Sequence, residues 1–184
     1  MAAPWYLEEW RTVNKPTDRT VFQNAWVVDD VEAACMKWVN EMGVGPFFVT
    51  EYTDQFSDMT YRGEPAELSM FVAIAQAGPV QIELIQPTVE RCAYRDSVPA
   101  GTMGFHHMCV WTHDIKADTA YFAGLGYEAA NLGRAGDIEF AYYDTRPLMG
   151  CMLEVGPQSP GIVERLAAIA AAAEGWNGKD PIRS

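Results

Sequence analysis

The spacing of hydrophobic positions along the chain alternates between that of a strand and that of a helix. The same order of predicted elements appears twice. The first unit opens with VFQNAWVV (21–28), whose β-branched and aromatic residues predict a strand. Asp29 and Asp30 form an N-cap signal before apolar residues at helical spacing over 31–42, and Gly43 ends this predicted helix. Three more strands are predicted at 46–52, 66–76 and 78–87.

The second half of the chain repeats this β-α-β-β-β order. A strand at 104–112 is followed by a helix that begins after Asp114, and then by strands at 127–133, 137–145 and 150–156. Gln23 and His107 each lie seven residues before the aspartate that caps the next helix. The matching order predicts two copies of one βαβββ unit.

These elements predict an α+β protein with one domain built from two βαβββ modules. The expected boundaries are an arm at 1–19, module 1 at 20–88, a linker at 89–103, module 2 at 104–157, and a C-terminal helix and tail at 158–184. The last helix starts at Ser159-Pro160 and is expected to pack on the outside of a sheet or on a partner subunit. Its apolar stripe and the open sheet edges predict a homodimer.

Composition narrows the partners. The 184 residues carry a formal charge of −12, which argues against nucleic acid and anionic membranes because both are bound by clustered Lys and Arg. The four cysteines are scattered without a C-x-x-C pair and are expected to be buried free thiols. No signal peptide and no apolar run long enough for a bilayer is visible, so we expect a cytoplasmic protein.

Four polar residues fall on otherwise apolar strands. Because alternate side chains of a strand share a face, all four point into one concavity if the modules form one curved sheet. The four are Gln23, Glu83, His107 and Glu154. Burying two carboxylates is costly, and a divalent cation bound by both, with one imidazole and one amide oxygen, offsets that cost. Taken singly, each residue is more often structural, and the carboxylates face water if the alternation is out of phase.

The other two histidines are expected elsewhere. His106 is predicted to face the opposite side of its strand from His107. His113 lies at the strand-to-helix turn and is expected to be a surface or capping residue.

The stretches QNAWVVDDVEAA, VQIELIQP, HHMCVWTHDI and GCMLEVG, within residues 20–157, resemble the vicinal oxygen chelate superfamily. This group includes glyoxalase I, methylmalonyl-CoA epimerase, extradiol dioxygenases and bleomycin-resistance proteins. The resemblance implies a curved, cup-shaped mixed β-sheet with flanking helices around one divalent metal ion. It also places Gln23, Glu83, His107 and Glu154 on the four ligand positions.

The ligand set distinguishes among members of the group. The first position often holds His, whereas the set Gln/Glu/His/Glu is that of human-type glyoxalase I. An extradiol dioxygenase uses two His and one carboxylate for iron, so a single His makes the dioxygenase the weaker hypothesis. Zn²⁺ is the first expectation for the metal, with Ni²⁺, Co²⁺, Mn²⁺ and Mg²⁺ as alternatives.

The function predicted on this basis is an isomerase or lyase of the glyoxalase or epimerase type, acting through a metal-stabilised enolate. Glu154 or Glu83 would move the proton, and Glu139 and Tyr143 are the alternatives that are not metal ligands. The competing hypothesis is a metal-free binding protein of the bleomycin-resistance type, and metal analysis separates the two.

Aromatic and apolar residues near the ligand faces suggest the substrate. Trp111, Met152 and Tyr143 are the predicted pocket residues, which favours a small apolar or aromatic carbonyl compound. Glutathione or the phosphates of coenzyme A would require more Arg and Lys than the loops provide.

Overall fold

A single mixed sheet organises the computed structural model of the chain, which describes residues 20–184; the predicted arm at 1–19 lies outside them. The strands are β1 (Val21–Val27), β2 (Phe47–Tyr52), β3 (Phe56–Tyr61), β4 (Glu64–Pro65), β5 (Met70–Ala77), β6 (Val80–Pro87), β7 (Gly104–Thr112), β8 (Ala129–Ala135), β9 (Ile138–Tyr143), β10 (Met152–Pro157) and β11 (Ile182–Arg183). The helices are α1 (Val31–Lys37), which continues as a π-helical turn (Trp38–Met42), α2 (Ile115–Gly124), α3 (Arg146–Met149) and α4 (Pro160–Ala173). A 3-10 turn (Ala93–Asp96) lies between β6 and β7.

The sheet has pseudo-symmetric halves. Its strand order is β11-β2-β5-β6-β1-β7-β10-β9-β8-β3-β4. β1 and β7 pair antiparallel at the centre, and each pairs parallel on its other side with the last strand of its own module, β6 or β10. This arrangement confirms the predicted α+β class and mixed sheet, whereas the boundaries of the modules stay a prediction.

Helix ends follow the predicted capping chemistry. Asp30 accepts a hydrogen bond from the Ala33 N–H, and Asp114 accepts one from the Ala117 N–H, so each supplies an acceptor to an otherwise unpaired donor. Gly43 ends the first helical segment with φ of 66°, in the left-handed region that glycine tolerates best.

Period-two alternation sorts the side chains onto the two faces of the sheet. The concave face carries the largest hydrophobic cluster, including Val27, Val72 and Ile85. The convex face is covered by the helices: α1 packs on module 1 and α2 packs on module 2, where Phe122 joins the cluster of Val110 and Val155. The apolar and polar positions therefore define an inside and an outside for each module.

The hydrophobic pattern did not predict strands β3 and β4. Their position requires the sheet to curve. β3 follows β2 after only residues 53–55, yet β2 and β3 lie near opposite ends of the strand order. A link this short spans at most about 14 Å, so the two ends of the sheet must approach each other. The rings of Tyr52 and Phe56, one from each end, have centroids 5.5 Å apart. The sheet is therefore an almost closed cup, with β3 of module 1 paired to β8 of module 2.

Helix α4 lies across the concave face, and the prediction that it packs outside the sheet is wrong. Ile169 is buried in the concave hydrophobic cluster, Leu166 packs against that cluster, and Ile162 borders a cavity on the concave face. The open mouth of the cup exposes apolar surface, which an apolar helix stripe of the same chain covers. The apolar stripe of α4, one of the two reasons for expecting a homodimer, is thus covered within the chain.

The edges of the sheet are short in the described part of the chain. β11 and β4 have two residues each, and such short edge strands offer little template for pairing with another molecule. Within residues 20–184, no helix is long and apolar enough to cross a membrane.

Packing of α4 into the cup predicts unequal costs for two substitutions on this helix. Ile169→Ala should lower the free energy of unfolding by about 2–4 kcal/mol, because it leaves a cavity in the concave core. Val163→Ala, on the exposed side of the same helix, should change it by less than about 0.5 kcal/mol. Urea unfolding curves measure both, and equal small effects would mean that α4 does not pack in the cup.

Candidate functional site

The four predicted ligand residues lie on the concave face of the four central strands. Adjacent strands β6, β1, β7 and β10 carry them in the order Glu83, Gln23, His107 and Glu154. His107 Nε2 lies 2.9 Å from Glu154 Oε2 and 3.4 Å from Glu83 Oε2. The candidate ligand atoms of these three residues all lie within 4.8 Å of one another. One chain therefore supplies the whole cluster, from both modules.

Gln23 borders the same cavity as the two glutamates and is buried. Its Nε2 donates a long hydrogen bond of 3.5 Å to Gln81 Oε1 on the neighbouring strand. With the amide nitrogen used in this way, the side-chain oxygen of Gln23 is left for another partner.

Two buried atoms of the cluster lack hydrogen bonds. His107 Nε2 and Glu83 Oε2 are both inaccessible to solvent and have no hydrogen-bond partner of acceptable geometry within residues 20–184. The 2.9 Å between His107 Nε2 and Glu154 Oε2 is short enough for a hydrogen bond, but the angles do not satisfy one. Buried polar atoms are rarely left unpaired, and atoms that converge without bonding each other are arranged as the ligands of an ion are.

The neighbouring imidazole determines which nitrogen of His107 is available. His106 Nε2 lies 3.0 Å from the Ala93 carbonyl oxygen, which can only accept, so His106 donates there. Burial, together with the adjacent His107, lowers the pKa of His106 to about 3, and its other nitrogen is therefore unprotonated. That Nδ1 accepts from the Nδ1–H of His107 at 2.9 Å. The tautomers assigned from these partners leave His107 Nε2 as the nitrogen that faces the carboxylates.

A β-bulge brings the two histidines together, and the prediction that His106 faces away from His107 is wrong. The β1–β7 ladder skips one residue in each strand, Phe22 in β1 and His106 in β7. Each skipped residue immediately precedes a cluster residue, Gln23 or His107. A bulge re-aims the side chain of the extra residue, so strict alternation fails at this point. Two equivalent bulges at equivalent places in the two modules could not be read from alternation alone.

Burial and neighbouring charges shift the pKa values of His107 and Glu83 in opposite directions. Burial disfavours a charged imidazole, but the carboxylates of Glu154 and Glu83 outweigh it and raise the pKa of His107 to about 9. Burial raises the pKa of Glu83, and His107 acts against it. Without an ion, a charged His107 imidazole is the counter-charge to these two acidic side chains, whereas a divalent cation would satisfy both of them.

A cavity of about 380 Å³ opens above the cluster, near the small end of the range for small-molecule sites. Its lining is mostly apolar and comes from both modules and from α4. Trp111 lines it as predicted, and its ring stacks on Phe22 with centroids 3.7 Å apart and an interplanar angle of 11°. Met152 is on the concave face but is fully buried in the hydrophobic cluster and does not line the cavity.

Tyr143 does not line the cavity, and this part of the predicted pocket is corrected. Its hydroxyl lies 2.9 Å from Thr119 Oγ1, and its ring stacks on Phe122, so it packs on the convex face against α2. Tyr142 takes the concave position, lines the cavity, and has its ring centroid 4.9 Å from that of His107. Two adjacent tyrosines give no hydrophobic contrast, so the pattern did not reveal which of them points inward.

Glu139 also lies away from the cluster. It is exposed on the convex side of β9, and the guanidinium of Arg134 donates to it at 2.6 Å. Neither Glu139 nor Tyr143 is therefore placed to exchange a proton with a molecule in the cavity.

Other sequence-based expectations are met outside the cluster. All four cysteines are free and buried, and Cys109 lines the cavity. His113 is exposed at the turn before α2, where Asp114 supplies the cap. Arg165 on α4, which the sequence did not single out, lies in the lining of the cavity.

Comparisons with known proteins agree with this architecture. The family described as the Glyoxalase/Bleomycin resistance protein/Dioxygenase superfamily matches residues 22–142. The methylmalonyl-CoA epimerase of Mycobacterium tuberculosis has a TM-score of 0.54 and 14% identity, over 83% of this chain and 97% of that one. A hypothetical protein from Bacillus halodurans has a TM-score of 0.52 and 15% identity, over 76% of this chain and 94% of that one.

A Streptomyces coelicolor methylmalonyl-CoA epimerase variant in complex with 2-nitronate-propionyl-CoA has a TM-score of 0.56 and 15% identity, over 78% of this chain and 97% of that one. Such identities show a shared fold. No curated protein gives a significant sequence match. The family match covers well over half of the chain, which therefore belongs to the Glyoxalase/Bleomycin resistance protein/Dioxygenase superfamily.

Proposed function

We propose that this chain is a divalent-metal-dependent isomerase of the glyoxalase or epimerase type, which moves a proton at the carbon next to a carbonyl group. The observation that carries the proposal is the buried cluster of Glu83, His107 and Glu154 beneath an apolar cavity. Its substrate is proposed to be a small apolar or aromatic carbonyl compound. A lyase reaction has no support in the comparisons.

The donor set fits a divalent ion. His107 would bind through Nε2, Glu83 and Glu154 through carboxylate oxygens, and Gln23 through its amide oxygen. Two carboxylates neutralise the charge of the ion, and a set of nitrogen and oxygen donors suits Zn²⁺ first, with Ni²⁺, Co²⁺, Mn²⁺ and Mg²⁺ as alternatives. The bound ion would supply a Lewis acid that stabilises the negative charge developing on the carbonyl oxygen.

Glu154 is the proposed general base. Its side chain lines the cavity and is 14% exposed, so a substrate carbon can approach its carboxylate. The proton passes to a carboxylate oxygen of Glu154 and returns to the same or a neighbouring carbon. Glu83, held on the adjacent side of His107, balances charge. The apolar walls exclude water, which strengthens these electrostatic interactions.

Two alternatives to an isomerase, a dioxygenase and a metal-free binding protein, fit the structure less well. A dioxygenase of the two-His, one-carboxylate type needs a second imidazole ligand, yet both nitrogens of His106 are engaged with His107 and with the Ala93 carbonyl. The mostly apolar cavity favours a metal-free binding protein as the second candidate. Metal analysis distinguishes that protein from an isomerase.

The arginines favour a small substrate over a coenzyme A thioester. Arg134 is paired with Glu139, and Arg146 is paired with Asp144, so neither is free for a phosphate group. Arg165 is the one Lys or Arg among the described residues that line the cavity.

The homodimer remains a proposal, checked by sedimentation velocity at micromolar concentration.

Metal content is the first test. Protein purified without added metal should contain close to one divalent ion per chain, and His107→Ala should abolish binding. His106→Phe keeps a ring but removes the acceptor for the His107 Nδ1–H, so metal affinity should fall about 10–100-fold. His113→Ala, at an exposed position, is the matched control and should bind metal as the native protein does.

Elemental analysis and competition with a chelator measure these affinities. A native protein that contains no metal, and binds none of the five ions named above, would favour the metal-free binding protein.

Proton transfer by Glu154 is the second test. Phenylpyruvate carries adjacent carbonyl and carboxylate oxygens, and its benzylic protons are next to the carbonyl carbon. The metal-loaded enzyme should speed their exchange with D₂O, measured by NMR. Glu154→Gln keeps a coordinating oxygen but cannot accept the proton, so exchange should slow at least about 100-fold with metal retained.

Glu139→Gln, on the convex face, is the control and should leave the rate unchanged. An exchange rate in metal-loaded Glu154→Gln equal to that of the native enzyme would show that Glu154 is not the general base and would make Glu83 the candidate. No acceleration by the native enzyme would rule out this type of substrate.

A further inference from the structure

Helix α4 contributes both apolar and charged surface to the mouth of the cavity. Ile162 and Leu166 line it from one face of the helix, and Arg165, next to Leu166, lines it with its exposed side chain. The cluster of Glu83, His107 and Glu154 lies on the sheet across the cavity from the helix. The two ends of the cavity thus differ in charge.

Arg165, like three other described arginines, has no carboxylate partner, and it is the one of these four that lines the cavity. Its guanidinium donates to Thr50 Oγ1 at 3.2 Å and to Tyr52 Oη at 3.4 Å, both neutral acceptors on β2. No Asp or Glu within residues 20–184 forms an ion pair with it, whereas Arg62, Arg134 and Arg146 are each paired with at least one carboxylate. The two long hydrogen bonds orient the guanidinium and leave donors free for an anion.

The lining around Arg165 selects the kind of anion. Apart from the acids of the cluster and Arg165, the walls are mainly apolar or aromatic, as Tyr52, Phe56 and Phe140 illustrate. One guanidinium matches one negative charge, and its planar donors suit a carboxylate. A group with two negative charges would leave one of them unpaired in a protein whose formal charge is −12.

We propose that Arg165 binds a carboxylate of the substrate, so that the substrate is an apolar or aromatic carbonyl compound with a free carboxylate at the end away from Glu83 and Glu154. The proposal rests on the proposed function only for the position of the reacting end of the molecule. Binding of the carboxylate itself needs neither bound metal nor turnover.

A pair of probes that differ only in charge tests this assignment. 2-Naphthoate and 2-naphthamide have nearly the same shape, and calorimetry of the full-length protein gives their dissociation constants. The native protein should bind the carboxylate about three- to tenfold more tightly than the amide, as expected for a partly exposed charged hydrogen bond. Arg165→Gln should abolish this preference, and Arg165→Lys should keep part of it.

Arg134→Gln makes the same change of charge on the convex face and should keep the full preference. Loss of preference in Arg165→Gln alone supports the proposal. A preference that survives in Arg165→Gln overturns it, because another group, a metal ion included, would then hold the carboxylate. Equal binding of the two probes to the native protein, or binding of neither, overturns it as well. Carboxylate selectivity in a protein that contains no divalent metal and binds none when it is added would keep the anion site while overturning the metal-dependent isomerase.

Discussion

The antiparallel pairing of β1 with β7 is the contact on which the rest of the structure depends. It joins the two modules into one sheet and places β6 and β10 on either side of the pair. Because of this pairing, His107 and Glu154, which are 84 and 131 residues from Gln23 in sequence, face the same concavity as Gln23. The bulges at Phe22 and His106 belong to the same ladder and direct an aromatic ring and an imidazole into that concavity.

Electrostatics in the centre of the cup oppose the hydrophobic packing around it. Glu83 and Glu154 lie close together in a region where water is scarce, and their mutual repulsion and desolvation are unfavourable. His107 reduces this cost, and its orientation depends in turn on His106 and the Ala93 carbonyl. The apolar residues that stabilise the cup therefore also support a costly cluster of charged groups, an arrangement typical of functional sites.

Alternation of side chains in strands was sufficient to predict most of the centre of the molecule. Gln23, Glu83, His107 and Glu154 all lie on the predicted face, although a bulge immediately precedes Gln23 and His107. The alternation failed in two places. A bulge reversed the expected direction of the His106 side chain, and two adjacent tyrosines hid which residues of β9 face the concave side. β3 is short and polar, and its partner β8 is about 75 residues away in sequence, so no local signal marked it. The position of α4 depends on the open mouth of the cup, which only the folded sheet defines.

The hairpin of β3 and β4 belongs to module 1 in sequence but to module 2 in space. The two repeats are therefore no longer interchangeable, although their remaining strands still mirror each other. If the chain were cut in the linker, the first fragment would carry away the strand that covers β8, and β8 of the second would be left as an exposed edge. A duplicated module that gains such an insertion becomes committed to its neighbour, because each half then lacks a strand that only the other can supply or receive.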